Sequence, residues 1–122
     1  MPGRKQKPTV ALKPSEEVTE AWITCRRKKR FAYPNYTERS GKWLVFLKRN
    51  EADEVWFKIK DAIEQGQLGS AAKISTNDPS SIRLNPREQV ICIYTYDCAD
   101  EADVMRVRQR LRELGVYLGN FV

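Results

Sequence analysis

Five consecutive cations, Arg26, Arg27, Lys28, Lys29 and Arg30, run directly into Phe31, Tyr33 and Tyr36. Cations neutralise phosphates and rings stack on bases, so dense charge beside aromatic side chains is the pattern of a nucleic-acid contact. The same pentamer also reads as a nuclear-import signal or as a solvated basic linker. Tyr94 and Tyr96 lie two apart in QVICIYTY, on one face of a predicted strand. RNA-recognition domains of related topology stack bases at such positions, but this run lacks their glycine and basic start, and ordinary strand packing is the simpler reading. Lys73, in AAKIST, falls on another predicted strand. Pointing into a pocket, it would bind phosphate, or act as a base if desolvated. On an edge strand it would instead guard against aggregation. The long loop from Asn77 to Glu88 adds Arg83 and Arg87. Arg106, Arg108, Arg110 and Arg112 flank one helix stripe and read as a solvated helix surface.

Several chemistries are disfavoured by what the chain lacks. It has no histidine, which removes His-based acid-base catalysis and most zinc and iron sites. Cys25, Cys92 and Cys98 form no disulfide framework and have no metal-like spacing, which points to a reducing compartment. No Gly-rich phosphate loop or nucleophile elbow is present, and Asp97 and Asp100 have a simpler role in capping. Neither a metal nor a cofactor is expected. No run of about 18 apolar residues exists, so no membrane association is expected. The start of the chain lacks the apolar core of a signal peptide. The expected location is therefore intracellular, cytoplasmic or nuclear.

Hydrophobic patterning supplies the elements that must position these residues. Lys42 to Lys48 (KWLVFLK) reads as a strand, Glu51 to Gln65 as a helix and Ala71 to Thr76 as a strand. Gln89 to Tyr96, Glu101 to Leu114 and Val116 to Phe121 repeat that order. The result is βαββαβ, an α+β fold with an antiparallel sheet and both helices on one face. Ala52, Val55, Trp56, Ile59 and Ile63 form the first helix stripe, opened by Asn50 and ended by Gly66. Val104, Val107, Leu111 and Leu114 form the second, between Asp100 and Gly115. The first and third strands are apolar on both faces and should be central. The second and fourth should be edges. The helices leave one sheet face uncovered, so an apolar patch there needs a cover or a ligand.

Charge divides the chain unevenly. Residues 1–30 hold nine Lys or Arg against three Glu, which equals the +6 of the whole chain. The expected organisation is a basic N-terminal arm over 1–40 and an α+β domain over 41–122, and a chain of this length can bury roughly 65% of its extended surface. Residues 1–13 are expected to be disordered. Ser15 should cap a short amphipathic helix whose stripe is Val18, Trp22 and Cys25. That helix is the expected lid over the open sheet face.

KWLVFLKRNEADEVWFKIKDAI, LGSAAKIST, VICIYTYDCADEADVMRVRQRLRELGV and the closing LGNF resemble the basophilic-leukaemia-expressed protein family. The resemblance spans Gly41 to Phe121. It implies the fold of translation initiation factor 4E, a curved antiparallel sheet with helices on its convex side. Some similar sequences are labelled phosphothreonine lyases, which implies Lys73 as a base. Their Lys-x-His stretch becomes Lys73-Ile74-Ser75 here, so the acid is missing. The paired tryptophans that hold a methylated guanine in the initiation factors have no counterpart either, since Trp43 falls on a strand and Trp56 on a helix stripe.

These readings favour a non-catalytic binding module for an anionic ligand, either RNA or a nucleotide-like or phosphorylated group. The expected site is the concave sheet face near Lys73, Arg83, Arg87, Tyr94 and Tyr96, assisted by Arg26, Arg27, Lys28, Lys29 and Arg30. The alternatives are a lyase using Lys73, and a protein-interaction or structural subunit.

Overall fold

Side chains that alternate between helix-covered and open positions set the architecture. A computed structural model describes residues 12–78, 88–116 and 120–121 of the protein. The elements in chain order are β1 (Trp22–Arg26), β2 (Gly41–Lys48), α1 (Arg49–Glu64), β3 (Ala71–Ser75), β4 (Glu88–Thr95), α2 (Glu101–Glu113) and β5 (Asn120–Phe121). Among the described residues the strands form one sheet in the order β1-β3-β4-β2-β5, with every pairing antiparallel. The α+β class, the antiparallel sheet and the central positions of β2 and β4 follow the sequence expectation.

The long central strands alternate as their pattern requires. Trp43, Val45 and Leu47 of β2, with Ile91 and Ile93 of β4, are buried in the core cluster that includes Trp56, Ile59 and Ile63 of α1 and Val104, Val107 and Leu111 of α2. Trp43 Nε1 donates to Val104 O at 3.1 Å, fixing α2 against β2. The chain enters α1 with Lys48 N donating to the Glu51 carboxylate at 3.0 Å, so Glu51 rather than Asn50 serves the first turn. Asp100 caps α2 as expected, accepting from Asp103 N at 3.1 Å. Both helices end in the same paired-bond motif around a left-handed glycine. Gly66 (φ 76°) and Gly115 (φ 83°) are those residues. Gln67 N donates to Ala62 O and Val116 N to Leu111 O, each at 2.9 Å.

The N-terminal region departs from expectation. Trp22–Arg26 is a strand, not the last turn of an amphipathic helix. Ile23 and Cys25, two apart, are the buried pair, whereas Val18 is 57% exposed. An aromatic and β-branched run such as WITCR suits a pleated, half-buried surface better than a helix. Ser15 caps no helix. Its backbone N and hydroxyl both donate to the Asp53 carboxylate of α1. Pro14 O accepts from Gln89 Nε2 at 2.9 Å, which places this turn on the helix-bearing side. Over its described residues the segment therefore extends the sheet through Trp22–Arg26 and does not cross its open face. One consequence is that β3 is an interior strand, flanked by β1 and β4, and not the edge that its short length suggested. The sheet starts at Trp22, inside the stretch read as an arm.

Candidate functional site

The site is built from the open sheet face and from the loop that follows β1. On that face, register aligns Arg26 with Ala71, Ala71 with Tyr94 and Tyr94 with Lys42. The next row holds Thr24, Lys73, Cys92 and Leu44. Three cations thus share a surface with Trp22, Tyr94 and Phe46. Lys73 Nζ lies 4.1 Å from the Trp22 ring centroid and Lys42 Nζ lies 5.9 Å from that of Tyr94, both within cation–π range. Among the described residues no carboxylate forms an ion pair with Arg26, Lys42 or Lys73. Burial of the Tyr94 ring pushes its phenol up from the ordinary value. Cys92 is buried between these strands, and the same desolvation raises its thiol.

The loop from Arg27 to Tyr36 is held by a clamp. The Arg27 guanidinium donates to Gly69 O (3.2 Å), Ala32 O (3.2 Å) and Leu68 O. It also lies 4.4 Å over the Tyr33 ring. Tyr33 stacks edge-on against Tyr96 at 5.5 Å, and its hydroxyl donates to Asp103. Desolvation, then this bond to Asp103, pushes the Tyr33 phenol well above its usual range. Arg106 binds Asp103 Oδ1 at 2.9 Å and reaches Gln67 O and Leu68 O at 3.1 and 3.0 Å. Arg110 donates to Gln67 Oε1. Half of the α2 arginines therefore fasten the α1–β3 connection to α2 rather than facing only solvent. The loop's far end is pinned by Thr37 N donating to Tyr96 O at 3.0 Å, and by Ser70 Oγ donating to the Tyr36 hydroxyl.

Loop and sheet enclose two adjoining clefts. The smaller, about 210 Å³, is lined by Thr24, Arg26, Tyr36, Ala71, Lys73 and Tyr94 among others. The larger, about 380 Å³, is lined by Arg26, Arg27, Lys28, Lys29, Tyr33 and Tyr36 among others. Arg26 and Tyr36 line both.

The fold therefore brings Lys73 and Tyr94 together with Arg26, Lys28 and Lys29, which the sequence treated as two separate signals. Arg27 is present but its donors serve backbone carbonyls. Arg30 lies outside both clefts, 4.9 Å over the Phe31 ring. Tyr96 follows the end of β4, its hydroxyl donates to Asp100, and it lines neither cleft. Arg83 and Arg87 lie outside the described residues. Lys42 and Trp22 were not singled out as site residues, although KWLVFLK places Lys42 in phase with Leu44 and Phe46, one strand away from Tyr94. Among the described residues, no group of three or more Cys, Asp or Glu is placed to hold a metal, and no helix is long and apolar enough to cross a membrane.

Fold and site together define a two-layer α+β domain with one basic and aromatic sheet face, uncovered among the described residues, beside a clamped basic loop. The chain belongs to the basophilic leukemia-expressed protein Bles03 family, whose model matches residues 33–119. Strand β1 and the run Arg26–Lys29 precede the matched segment, so the site combines family residues with residues outside that match.

Proposed function

We propose that this domain is a non-catalytic binding module for an anionic ligand, carrying it on the open sheet face and the adjoining basic loop. One observation supports this above the rest: among the described residues, Arg26, Lys42 and Lys73 have no carboxylate partners and are interleaved with Trp22, Tyr36 and Tyr94 on a face that no described helix covers. A cation left unpaired beside exposed rings favours a partner that brings negative charge. RNA, a nucleotide-like molecule and a phosphorylated group all have that chemistry. The layout with both helices on one face also suits the initiation-factor-4E likeness. Three free cysteines fit a reducing cytoplasm or nucleus.

A lyase reading would rest on Lys73 as base. Ser75, where that chemistry would need its acid, is buried between strands and its Oγ accepts from Val90 N at 2.9 Å. The binding reading is therefore the better supported.

The test is calorimetric titration of the full chain with polyphosphate at about 50 and 200 mM salt. Affinity should fall steeply with salt, and the double variant Lys42→Gln, Lys73→Gln should bind several-fold more weakly. Equal affinity of wild type and variant at both salts would remove the sheet face from the interaction.

A further inference from the structure

We propose that the two adjoining clefts form one bipartite site for single-stranded RNA, with a base against Tyr36 and Tyr94 in the smaller cleft and the neighbouring phosphates in the larger. This rests on the anionic-ligand reading above and names its ligand.

The two compartments differ in chemistry. The smaller cleft is lined by Ala71 and Thr24, short side chains on the open side of the sheet, beside Tyr36 and Tyr94. At about 210 Å³ it falls below the roughly 300 Å³ at which sites for drug-sized molecules begin, so it suits a single ring system. Stacking on tyrosine is sequence-tolerant, because every base has a π-face. The larger cleft carries four cations, Arg26, Arg27, Lys28 and Lys29, beside the rings of Phe31, Tyr33 and Tyr36, against two cations in the smaller. Arg27 is fixed to carbonyls and supplies a stationary charge, while Arg26, Lys28 and Lys29 are exposed and retain their donors. Charge-assisted contacts from such groups hold phosphate oxygens.

A ligand crossing from the smaller cleft to the more strongly charged larger one must pass Arg26 and Tyr36, which line both. A nucleotide strand places rings and phosphates side by side in this way and repeats them. A phosphoserine or phosphothreonine brings its phosphate on a short aliphatic arm and offers no ring of its own to Tyr36 and Tyr94. Continuation of the strand is provided for as well, since Lys42 lies on the other side of Tyr94 from Arg26 in the same row of the sheet.

The experiment compares a labelled short oligouridylate with an abasic strand of equal length by anisotropy, using the full chain at about 50 and 200 mM salt. Tyr36→Ala should weaken oligouridylate binding about tenfold, leaving its salt slope and the abasic strand unchanged. Tyr36→Phe keeps the ring, loses the Ser70 bond and should bind as wild type does, which separates stacking from loop stability. Lys28→Gln with Lys29→Gln should weaken both strands and reduce the salt slope by about 1 to 2. The inference is overturned if Tyr36→Ala affects both strands equally or neither, or if a phosphothreonine peptide binds where oligouridylate does not. Binding of polyphosphate without oligouridylate would overturn it and leave the anionic-ligand reading standing. Failure of both probes would remove both.

Discussion

Gly69 lets the α1–β3 connection pass within backbone contact of β4. A Cβ at this position would sit 1.7 Å from Tyr94 O, a clash with main chain that no side-chain rotation relieves. Its own carbonyl, with that of Leu68, accepts from Arg27, so the close approach also sets the clamp on the basic loop. Gly115 makes an instructive contrast. It has a left-handed φ of 83°, yet a Cβ there would meet nothing within 4 Å. Gly69→Ala should therefore cost about 3 kcal/mol as an overpacking defect, and Gly115→Ala about 1 kcal/mol of backbone strain. Urea unfolding of the two variants measures the difference; equal costs would show that the connection relaxes freely. Burial also governs the thiols: desolvation pushes Cys25 up to about 12, whereas Cys98 is exposed.

At the scale of elements, β1 carries the largest difference between sequence and structure. Its edge position and its parity are both open to measurement. Thr76 N donates to Ala21 O and Arg27 N donates to Ser70 O, so alternation along an antiparallel pair turns the amides of Ile23 and Cys25 toward β3. Those two amides should exchange slowly with solvent deuterium, and those of Trp22, Thr24 and Arg26 quickly. Ile23→Ala removes a core side chain that is 9% exposed and should cost about 2–3 kcal/mol. Trp22→Ala removes a half-buried side chain from the open face and should cost less. A larger cost at Trp22, or uniform exchange from Trp22 to Arg26, would favour a lid or a helix over the strand. Half of the site depends on this element, because β1 supplies Trp22, Thr24 and Arg26 and the loop after it supplies Lys28 and Lys29.

For the molecule as a whole, one cluster of carboxylates and tyrosines ties the end of β4 to α2 and to the loop, and it contributes to the pH dependence of stability. Asp97 accepts a two-point contact from Arg39, at 3.1 and 2.8 Å, which with the Ala99 amide holds its carboxyl below the usual value. The Tyr96 hydroxyl and the Asp103 amide do the same for Asp100. A lowered carboxyl pKa stabilises the fold fully above the unfolded value, near about pH 4, and that contribution is lost as pH falls through the folded value. Tyr96 is pushed up to about 12 by its bond to Asp100, so its neutral form is favoured. Its contribution is complete below about pH 10 and is lost as pH rises through that folded value. The raised Cys25 thiol acts in the same sense from its unfolded value of about 8.5, so the melting temperature should be level between about pH 4 and about pH 8.5 and fall on both sides. Asp97→Asn should flatten the acid limb, and an unchanged limb would assign acid sensitivity elsewhere.

The residues of the two helices were legible because their information is local. The 3.6-residue stripes, the Asp100 cap and the glycines at 66 and 115 each act within a few positions of themselves, and the structure places all of them as the pattern implies. The double-sided apolar character of β2 and β4 made their central position readable in the same way. What the chain does around β1 was not readable, because Val18, Trp22 and Cys25 fit a helical spacing as well as Ile23 and Cys25 fit a strand. Only pairing with β3, distant in sequence, decides between them. The candidate site has the same dependence. Sequence alone named Lys73, Tyr94 and Arg26–Lys29 as separate signals and selected Tyr96, which the fold assigns to Asp100. Sheet order and register are set by long-range packing, and they bring Arg26, Lys42 and Lys73 onto one face with Trp22 and Tyr94, while the pinned loop adds Tyr36.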